Sequence, residues 1–288
     1  MHIPWTELEL FLSVAESRSF SRAAKQLGIE QPTVSRRFLA LEARVGTRLC
    51  ERSVSGITLT AAGERLLPYA QHMAEWANGA ASVAAGEGRP EGIVRIAAPP
   101  GIAFDFCAPF AARVNKRHPG IRLEVLASVD YLNLSRNEAD LALRGEPARA
   151  KDLETLFETS VDAAAFVSPA YRKRLPKKVG PGDVAWIAWS TAYDNVVPNP
   201  QLRAMIPDFQ PSFTSDNYLV QLAACTAGLG AMILSKRFRQ MSPVKDLMEL
   251  PFSLGPRAQS TMALVCAKRM AAIPRVAAVV ALLREALS

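Results

Sequence analysis

The sequence has 288 residues, of which 49% are hydrophobic and 21% are charged, with a formal net charge of +7, as is typical of a globular protein. No apolar run approaches the roughly 18 residues that a membrane-spanning helix needs, and the first residues lack the basic and apolar regions of a signal peptide. These features exclude a membrane protein and predict a cytoplasmic one.

Basic residues are concentrated in one part of the N-terminal region. Residues 1–90 hold ten Lys or Arg and nine Asp or Glu, whereas residues 18–52 alone hold eight basic and three acidic residues. A local excess of arginine is compatible with nucleic-acid binding. A solvated surface explains the charge equally well, so other features must decide.

Helical periodicity predicts three short helices near the N-terminus. Apolar residues at i, i+3, i+4 and i+7, starting at Leu8, predict a first helix over about residues 6–17. A second helix of about two turns follows, with Ser19 or Ser21 as its N-cap and Gly28 as its left-handed C-terminal residue. Pro32 suits the first turn of a third helix. The apolar residues of this helix that would pack inward are Val34, Phe38, Leu41 and Val45.

The third helix has the features that reading of the DNA major groove requires. An α-helix fits this groove, and Gln or Arg side chains near its start pair with adenine or guanine. The residues left on its other faces, most of them polar or basic, are Thr33, Arg36, Arg37, Ala40 and Arg44. The pattern therefore predicts a helix-turn-helix, with a three-helix packing unit that exposes a basic face as the alternative.

A hairpin and a long helix are predicted next. Residues 49–59 alternate around Ser55-Gly56, which predicts a short β-hairpin, or wing. Thr60 would then cap a helix reaching about Ala85, on the order of 38 Å for about 25 residues. Its apolar seam has nearly heptad spacing and comprises Leu66, Ala70, Met73, Ala77, Ala80 and Ala84, with Leu67, Ala74 and Ala81 beside it. The seam either pairs with a second copy of the chain or lies on the chain's own C-terminal domain.

Residues 7–63 resemble, without a gap, the DNA-binding region of LysR-type transcriptional regulators. The elements that carry the resemblance are Phe20, Ala23-Ala24, Leu27, the run Gln31–Ser35, Leu41-Glu42, Gly46, Leu49, Arg52 and the run Leu59–Gly63. Cys50 departs from the family pattern, which usually has phenylalanine at this place.

The resemblance implies a bacterial transcriptional regulator that binds double-stranded promoter DNA. The residues implied in contacts to bases and phosphates are Gln31, Pro32, Thr33, Ser35, Arg36, Arg37 and Arg52, together with Ser21 and Arg22. The resemblance also implies a homodimer formed through the long helix, a homotetramer built from such dimers, and DNA binding that a small-molecule effector modulates. A DNA-binding protein that needs no ligand is the main alternative.

Strands alternate with helices beyond Pro90. Strands are predicted over residues 93–98, 121–127 and 140–144, with a helix over about 104–116. This alternation predicts a parallel sheet whose ligand would bind beyond the carboxyl ends of the strands.

The predicted fold class therefore combines an all-α winged helix-turn-helix with a C-terminal α/β domain. The boundaries that we expect are 1–60 for the DNA-binding domain, 61–88 for the linker helix and 89–288 for the effector-binding domain. The last of these resembles the two-lobed, periplasmic-binding-protein-like effector domain of the same family. Its first lobe would cover about 89–162 and 264–288, and its second about 163–263.

An effector would bind in the cleft between the lobes, where helix N-termini and hydroxyl groups are able to hold a carboxylate. The candidate residues are Gly101, Ser128, Arg144, Ser190 and Ser215. The family often has a polar residue after the first strand, where this sequence has Pro99-Pro100. For Arg144, an ion pair at the surface or between the lobes is the alternative to a ligand contact.

Other classes of protein find little support. An enzyme is disfavoured because there is no G-x-S-x-G elbow and no P-loop, and the three histidines are far apart. We therefore predict no catalytic residues, no metal site and no cofactor. A solute-binding protein is disfavoured by the N-terminal module. The four cysteines, at positions 50, 107, 225 and 266, predict free thiols.

Overall fold

The structure is a computed structural model that describes residues 2–53, 56–84, 90–255 and 258–287. For residues 52, 53, 78 and 81–84 it describes the backbone alone. The chain divides into two compact units, Met1–Gly88 and Arg89–Ser288. Among the described residues, no helix is both long and apolar enough to cross a bilayer.

The three predicted N-terminal helices are confirmed. They are α1 (Trp5–Ser17), α2 (Phe20–Leu27) and α3 (Gln31–Val45). Of the two candidate N-caps of α2, Ser19 is the cap, because its hydroxyl accepts a hydrogen bond from the backbone N–H of Arg22 at 3.4 Å. Ser21 lies inside the helix. Gly28 ends α2 with φ of 67°, in the left-handed region that glycine adopts without strain.

Aromatic rings hold the three helices together. Phe38 of α3 is stacked on Phe11 of α1 at 6.2 Å and meets Phe20 of α2 edge-on at 5.3 Å. Val34 and Leu41 are buried beside these rings. The inward face predicted for α3 is therefore its core face, although Val45 is only partly buried.

The predicted wing is an antiparallel hairpin of β1 (Cys50–Ser53) and β2 (Gly56–Leu59). The predicted turn includes Ser55, which lies outside the described residues. The Glu42 carboxylate on α3 accepts hydrogen bonds from the backbone N–H groups of Leu49 at 2.7 Å and Cys50 at 3.2 Å. This contact joins the wing to α3.

The linker helix is α4 (Ala61–Ala84), and its expected last residue, Ala85, lies outside the described residues. Thr60 caps it as predicted, with its hydroxyl accepting from the backbone N–H of Gly63 at 3.2 Å. The residues of the predicted seam differ in burial. Ala70 is fully buried, and three further residues pack on the core of the same unit: Leu66, Leu67 and Ala74. Met73, Ala77 and Ala80 are exposed, and the side chains of Ala81 and Ala84 are outside the described part.

The second unit contains a seven-stranded sheet. Its strands are β3 (Gly92–Ala98), β4 (Ile121–Ala127), β5 (Leu141–Arg144) and β6 (Leu153–Val167), followed by β9 (Met232–Ser235), β10 (Met248–Glu249) and β11 (Gln259–Ala267). Their order is β10-β6-β11-β5-β3-β4, with β9 also pairing with β6. Strands β7 (Ile187–Trp189) and β8 (Phe213–Ser215) form a separate parallel pair.

The prediction of a parallel sheet was only partly correct, because the sheet is mixed. Strand β3 is parallel to β4 and β5, whereas β11 is antiparallel to both β5 and β6. The chain leaves the first lobe along β6 and returns along β11, so these two strands run in opposite directions. Val161 on β6 packs in the core of the first lobe, and Ala164 packs in that of the second.

Helices cover the sheet and build the second lobe. A continuous helical segment follows β3: α5 (Pro100–Ile102), a π-helical turn (Ala103–Cys107) and α6 (Ala108–Arg117). The helix was predicted to begin near Phe104, but it begins earlier because Pro100 occupies its first position. The remaining helices are α7 (Pro169–Arg172), α8 (Asn199–Met205), α9 (Tyr218–Thr226), α10 (Lys236–Met241), α11 (Lys268–Ala271) and α12 (Pro274–Leu287).

Candidate functional site

The start of α3 presents a polar surface. Gln31, Pro32 and Arg36 are exposed, and Thr33 and Ser35 are half-buried. The preceding residue makes no side-chain capping bond to the helix. Free backbone N–H groups at a helix N-terminus attract anions such as phosphate. This end of α3 therefore combines exposed hydrogen-bonding side chains with uncapped backbone N–H groups that are able to attract an anion.

Two further candidates, Ser21 and Arg22, are exposed in the first turn of α2. The Arg36 side chain makes no hydrogen bond or ion pair with any other residue that the structure describes, so its guanidinium is available to a partner. The backbone of Arg52 belongs to β1, but its side chain lies outside the described part.

Arg37 differs from its neighbour. Its guanidinium donates to the Glu7 carboxylate on α1 from Nε at 3.3 Å and from Nη2 at 3.1 Å. Nη2 also donates to the carbonyl of Thr6 at 3.1 Å. Arg37 therefore ties the start of α1 to α3, and most of its hydrogen-bonding capacity is used inside the protein.

The five effector candidates fall into two groups and one separate position. Ser128 and Arg144 lie together at the carboxyl ends of β4 and β5 and share the lining of one pocket. Ser190 and Ser215 lie at the ends of β7 and β8, where the N–H of Ser190 donates to the carbonyl of Ser215 at 3.2 Å. Gly101 lies apart from both pairs, in α5.

Local contacts occupy several of these groups. The Ser128 hydroxyl donates to the carbonyl of Asp130 at 2.8 Å, and the Ser215 hydroxyl accepts from the N–H of Asn217 at 3.1 Å. A Cβ placed on Gly101 would lie 3.1 Å from the ring of Tyr218. A side chain at this position would therefore press on the Tyr218 ring of α9.

Arg144 has the clearest unused binding capacity in this part of the protein. Its Nη2 donates to the carbonyl of Leu132 at 2.6 Å, and its guanidinium lies 5.0 Å from the centre of the Tyr131 ring. The Nε is buried and has no hydrogen-bond partner. Burial lowers the pKa of Arg144, and no carboxylate of the described residues pairs with it. The ion pair considered as the alternative role is therefore not found there.

The pocket around Arg144 lies where the sequence predicts a ligand. The cavity is small, about 10 Å³, and the ends of β3, β4 and β5 form its walls. Besides Arg144, the lining includes Ala98, Pro99, Ser128, Asp130, Tyr131 and Leu143. Pro99 takes the place of the polar residue frequent in the family. The side chain of Pro99 offers no hydrogen bond, so a hydrogen bond to a ligand at this wall would have to come from another residue.

The structure contains a buried polar cluster that was not predicted from the sequence. Asp105, in the π-helical turn of the first lobe, accepts a hydrogen bond from the Tyr218 hydroxyl of the second lobe at 2.8 Å. Arg239 of α10 lies 3.5 Å from the Asp105 carboxylate. It also donates to the Ser242 hydroxyl at 2.7 Å and to the carbonyl of Val244. A charged residue inside the apolar run from 102 to 110 is the sequence signal that would have revealed it.

The pKa shifts of this cluster follow from its burial. Desolvation raises the pKa of the Asp105 carboxyl, although interactions with Ser242, Tyr218 and Arg239 favour its ionised form. Desolvation and the neighbouring Asp105 charge raise the pKa of Tyr218. These groups lie inside the protein, and their contacts link the two lobes.

The cysteines are buried, as free thiols. Burial raises the pKa of Cys107 and Cys266 to about 12 and that of Cys225 to about 11. A reactive cysteine needs an exposed thiolate with a lowered pKa. These three thiols therefore lack the environment of a redox sensor.

A winged helix-turn-helix followed by a two-lobed α/β unit defines a class of protein, the ligand-responsive transcriptional regulators. Two family models match the chain. The bacterial regulatory helix-turn-helix protein, lysR family, matches residues 5–64, and the LysR substrate binding domain matches residues 87–288. The chain belongs to the LysR family and is a transcriptional regulator with a substrate-binding domain.

Individual relatives agree with this assignment. HTH-type transcriptional regulator CrgA of Neisseria meningitidis is 30% identical over 239 residues, which cover 80% of this chain and 78% of CrgA. The solved structure of CrgA is similar over 100% of both chains, with 25% identity and a TM-score of 0.56. Full-length CbnR complexed with its target DNA shares the fold, with 20% identity over 99% of this chain and 100% of CbnR and a TM-score of 0.63.

Proposed function

We propose that this regulator binds promoter DNA by placing the start of α3 in the major groove. The exposed and unpaired guanidinium of Arg36, beside Gln31 and Thr33 at a free helix N-terminus, is the observation that carries the proposal. Arg36 and Gln31 would contact base edges. Ser21 and Arg22, with Arg52 of the wing, would contact phosphates and set the salt dependence of binding.

Substitutions of Arg36 and Arg37 are expected to act differently. Arg36→Ala should weaken operator binding by about tenfold to a hundredfold, in line with the ~1–3 kcal/mol of a lost base contact, and leave the Tm unchanged. Arg37→Ala should lower the Tm, because the half-buried Glu7 carboxylate loses its partner. Fluorescence anisotropy on a duplex selected from random DNA by the wild-type protein, together with thermal unfolding, measures both effects.

The control is Arg117→Ala, which removes an exposed arginine of the second unit. It should change neither quantity. Operator affinity that stays at the wild-type level in Arg36→Ala would contradict the proposed groove contact.

We also propose that α4 forms a homodimer, and that such dimers assemble into a homotetramer. Three large side chains on one stripe of α4 support the dimer: Tyr69 is 54% exposed, and Met73 and Trp76 are each 39% exposed. A second copy of α4 would cover this stripe, and the two α3 helices would then read an interrupted palindrome.

Sedimentation of Trp76→Glu should show a smaller species than wild type. The control variant Leu229→Glu, at an exposed apolar position of the second unit, should sediment as the wild type does.

The effector proposed for the second unit is a small anion with a carboxylate. Arg144 supports this choice, because its buried Nε lacks a partner and a carboxylate accepts two parallel hydrogen bonds from a guanidinium. The Tyr131 ring beside it would favour an effector with a flat apolar part. Bound effector would favour one arrangement of the protein on DNA and thereby shift promoter occupancy.

Arg144→Gln is expected to abolish stabilisation by the effector. In a screen of small carboxylates by thermal unfolding, ligands that raise the Tm of the wild type should lose this effect in the variant, since ligand stabilisation requires binding to the folded state. Arg136→Gln, at an exposed arginine of the segment that connects β4 to β5, is the matched control. Equal stabilisation of wild type and Arg144→Gln would place the effector elsewhere.

A further inference from the structure

The net positive charge of the second unit comes almost entirely from one short segment. Residues 91–288 carry 24 Lys or Arg and 18 Asp or Glu, an excess of six positive charges. Five basic residues fall within 172–178 and are called the basic segment here: Arg172, Lys173, Arg174, Lys177 and Lys178. No acidic residue occurs between Asp162 and Asp183. The rest of the second unit is therefore close to neutral.

The backbone around the basic segment is held firmly to the second lobe. The Tyr171 hydroxyl accepts from the N–H of Ala185 at 2.8 Å, and Leu175 packs on the core of this lobe. Arg174 donates to the carbonyl of Gly228, and its guanidinium lies 5.0 Å from the centre of the Tyr171 ring. The segment thus presents its remaining charges from a rigid support.

The three lysines have no partners within the described ranges. Lys173, Lys177 and Lys178 are exposed, and no hydrogen bond or ion pair is found for their ammonium groups. Asp183 is the next carboxylate along the chain, and it accepts from the N–H of Gly180 at 2.8 Å. Like charges close together repel one another, so their arrangement favours a polyanionic partner.

The chemistry of the segment favours a phosphate backbone over an acidic protein surface. Stable protein interfaces rely on buried aromatic or apolar anchors. The exposed large apolar side chains of the described chain include none from residues 171–178, where Tyr171 and Leu175 are partly buried. Lysine ammonium groups bind phosphates as point charges and without reading sequence.

We propose that the basic segment of the second lobe is a second DNA-binding surface, which contacts the phosphate backbone outside the operator sites read by α3. This proposal rests on the proposed function, because the first unit must bring the DNA to the protein. Once the first unit has bound DNA, the effective concentration of DNA at the basic segment is high. Individually weak contacts with phosphates then add appreciably to the overall affinity.

The test compares two triple variants of the full-length protein. Lys173→Gln/Lys177→Gln/Lys178→Gln removes three charges from the basic segment. Lys116→Gln/Arg122→Gln/Lys151→Gln is the matched control, because it removes three exposed charges elsewhere in the same unit. The probe is a fluorescein-labelled duplex of about 60 base pairs that carries, at its centre, the sequence selected from random DNA by the wild-type protein. It is titrated at several NaCl concentrations, since each phosphate contact adds about 0.9 to the slope of log K against log salt.

The basic-segment variant should lower this slope by about 2 to 3, as expected for three lost phosphate contacts, while the control lowers it by less than about one. Both variants should keep the wild-type Tm. Equal slopes for the two variants would overturn the proposal and leave the basic segment as a solvated surface or a site for an acidic protein. Absence of salt-dependent DNA binding by the wild type would instead overturn the proposed function.

Discussion

Arg239→Met is expected to lower the free energy of unfolding of residues 89–288 by about 3–5 kcal/mol, the range found when one partner of a buried ion pair is removed. Arg239 is 6% exposed and Asp105 is 3% exposed. Without the guanidinium, the Asp105 carboxylate would remain buried with only the uncharged Tyr218 and Ser242 hydroxyls as donors, and the carbonyl of Val244 would lose its bond.

Urea unfolding of the full-length chain measures this effect. Arg203→Met is the matched control, because Arg203 pairs with Asp194 at the surface, where solvent screens the interaction and its loss costs little. The double variant Asp105→Asn/Arg239→Met should recover part of the loss, since it no longer buries an unpaired charge. A loss for Arg239→Met as small as that for Arg203→Met would show that the buried pair does not hold the lobes.

Gly63→Ala is expected to destabilise the DNA-binding unit by about 3 kcal/mol or more, at the upper end of the cost of overpacking. A Cβ at this position would lie 2.1 Å from the carbonyl oxygen of Leu49 and 3.1 Å from a methyl carbon of Leu59. A backbone carbonyl cannot move aside as the end of a flexible side chain can. Helix α4 would have to separate from the wing, and DNA binding would be lost with it.

Calorimetry and DNA binding on the same sample test this expectation. The transition of the first unit should move to lower temperature, while effector-dependent stabilisation of the second unit persists. Gly182→Ala is the control, because a Cβ there meets nothing within 4 Å. Full DNA binding by Gly63→Ala with an unchanged calorimetric profile would refute the steric argument.

Local signals in the sequence determined the N-terminal module. Gly28, Pro32 and Thr60 act through caps and turns that involve only neighbouring residues, so the helices that they bound are predictable. Apolar periodicity likewise identified Val34 and Phe38 as core residues. The family resemblance, which is also carried by local strings, then identified the class of regulator.

Strand pairing in the second unit was less predictable. Residues 153–163 of β6 were not predicted as a strand. Opposite Leu264 and Val265 of β11, the register shifts past Leu156, and this bulge interrupts the alternation of polar and apolar residues. The mixed direction of the sheet depends on pairing between β11 and strands that lie roughly a hundred residues earlier in the chain. Local propensity carries no information about such pairing.

By itself, the sequence determined that this chain is a winged helix-turn-helix regulator with an α/β effector-binding domain, because caps, periodicity and motifs are short-range features. The tertiary structure alone decided which charged groups are available to partners. Arg36 and Arg37 are adjacent, yet only Arg37 meets the Glu7 carboxylate, 30 residues away. Arg144 likewise keeps a donor without a partner because the folded chain brings no carboxylate of the described residues to it. Coulomb interactions depend on distance in space, and folding sets that distance.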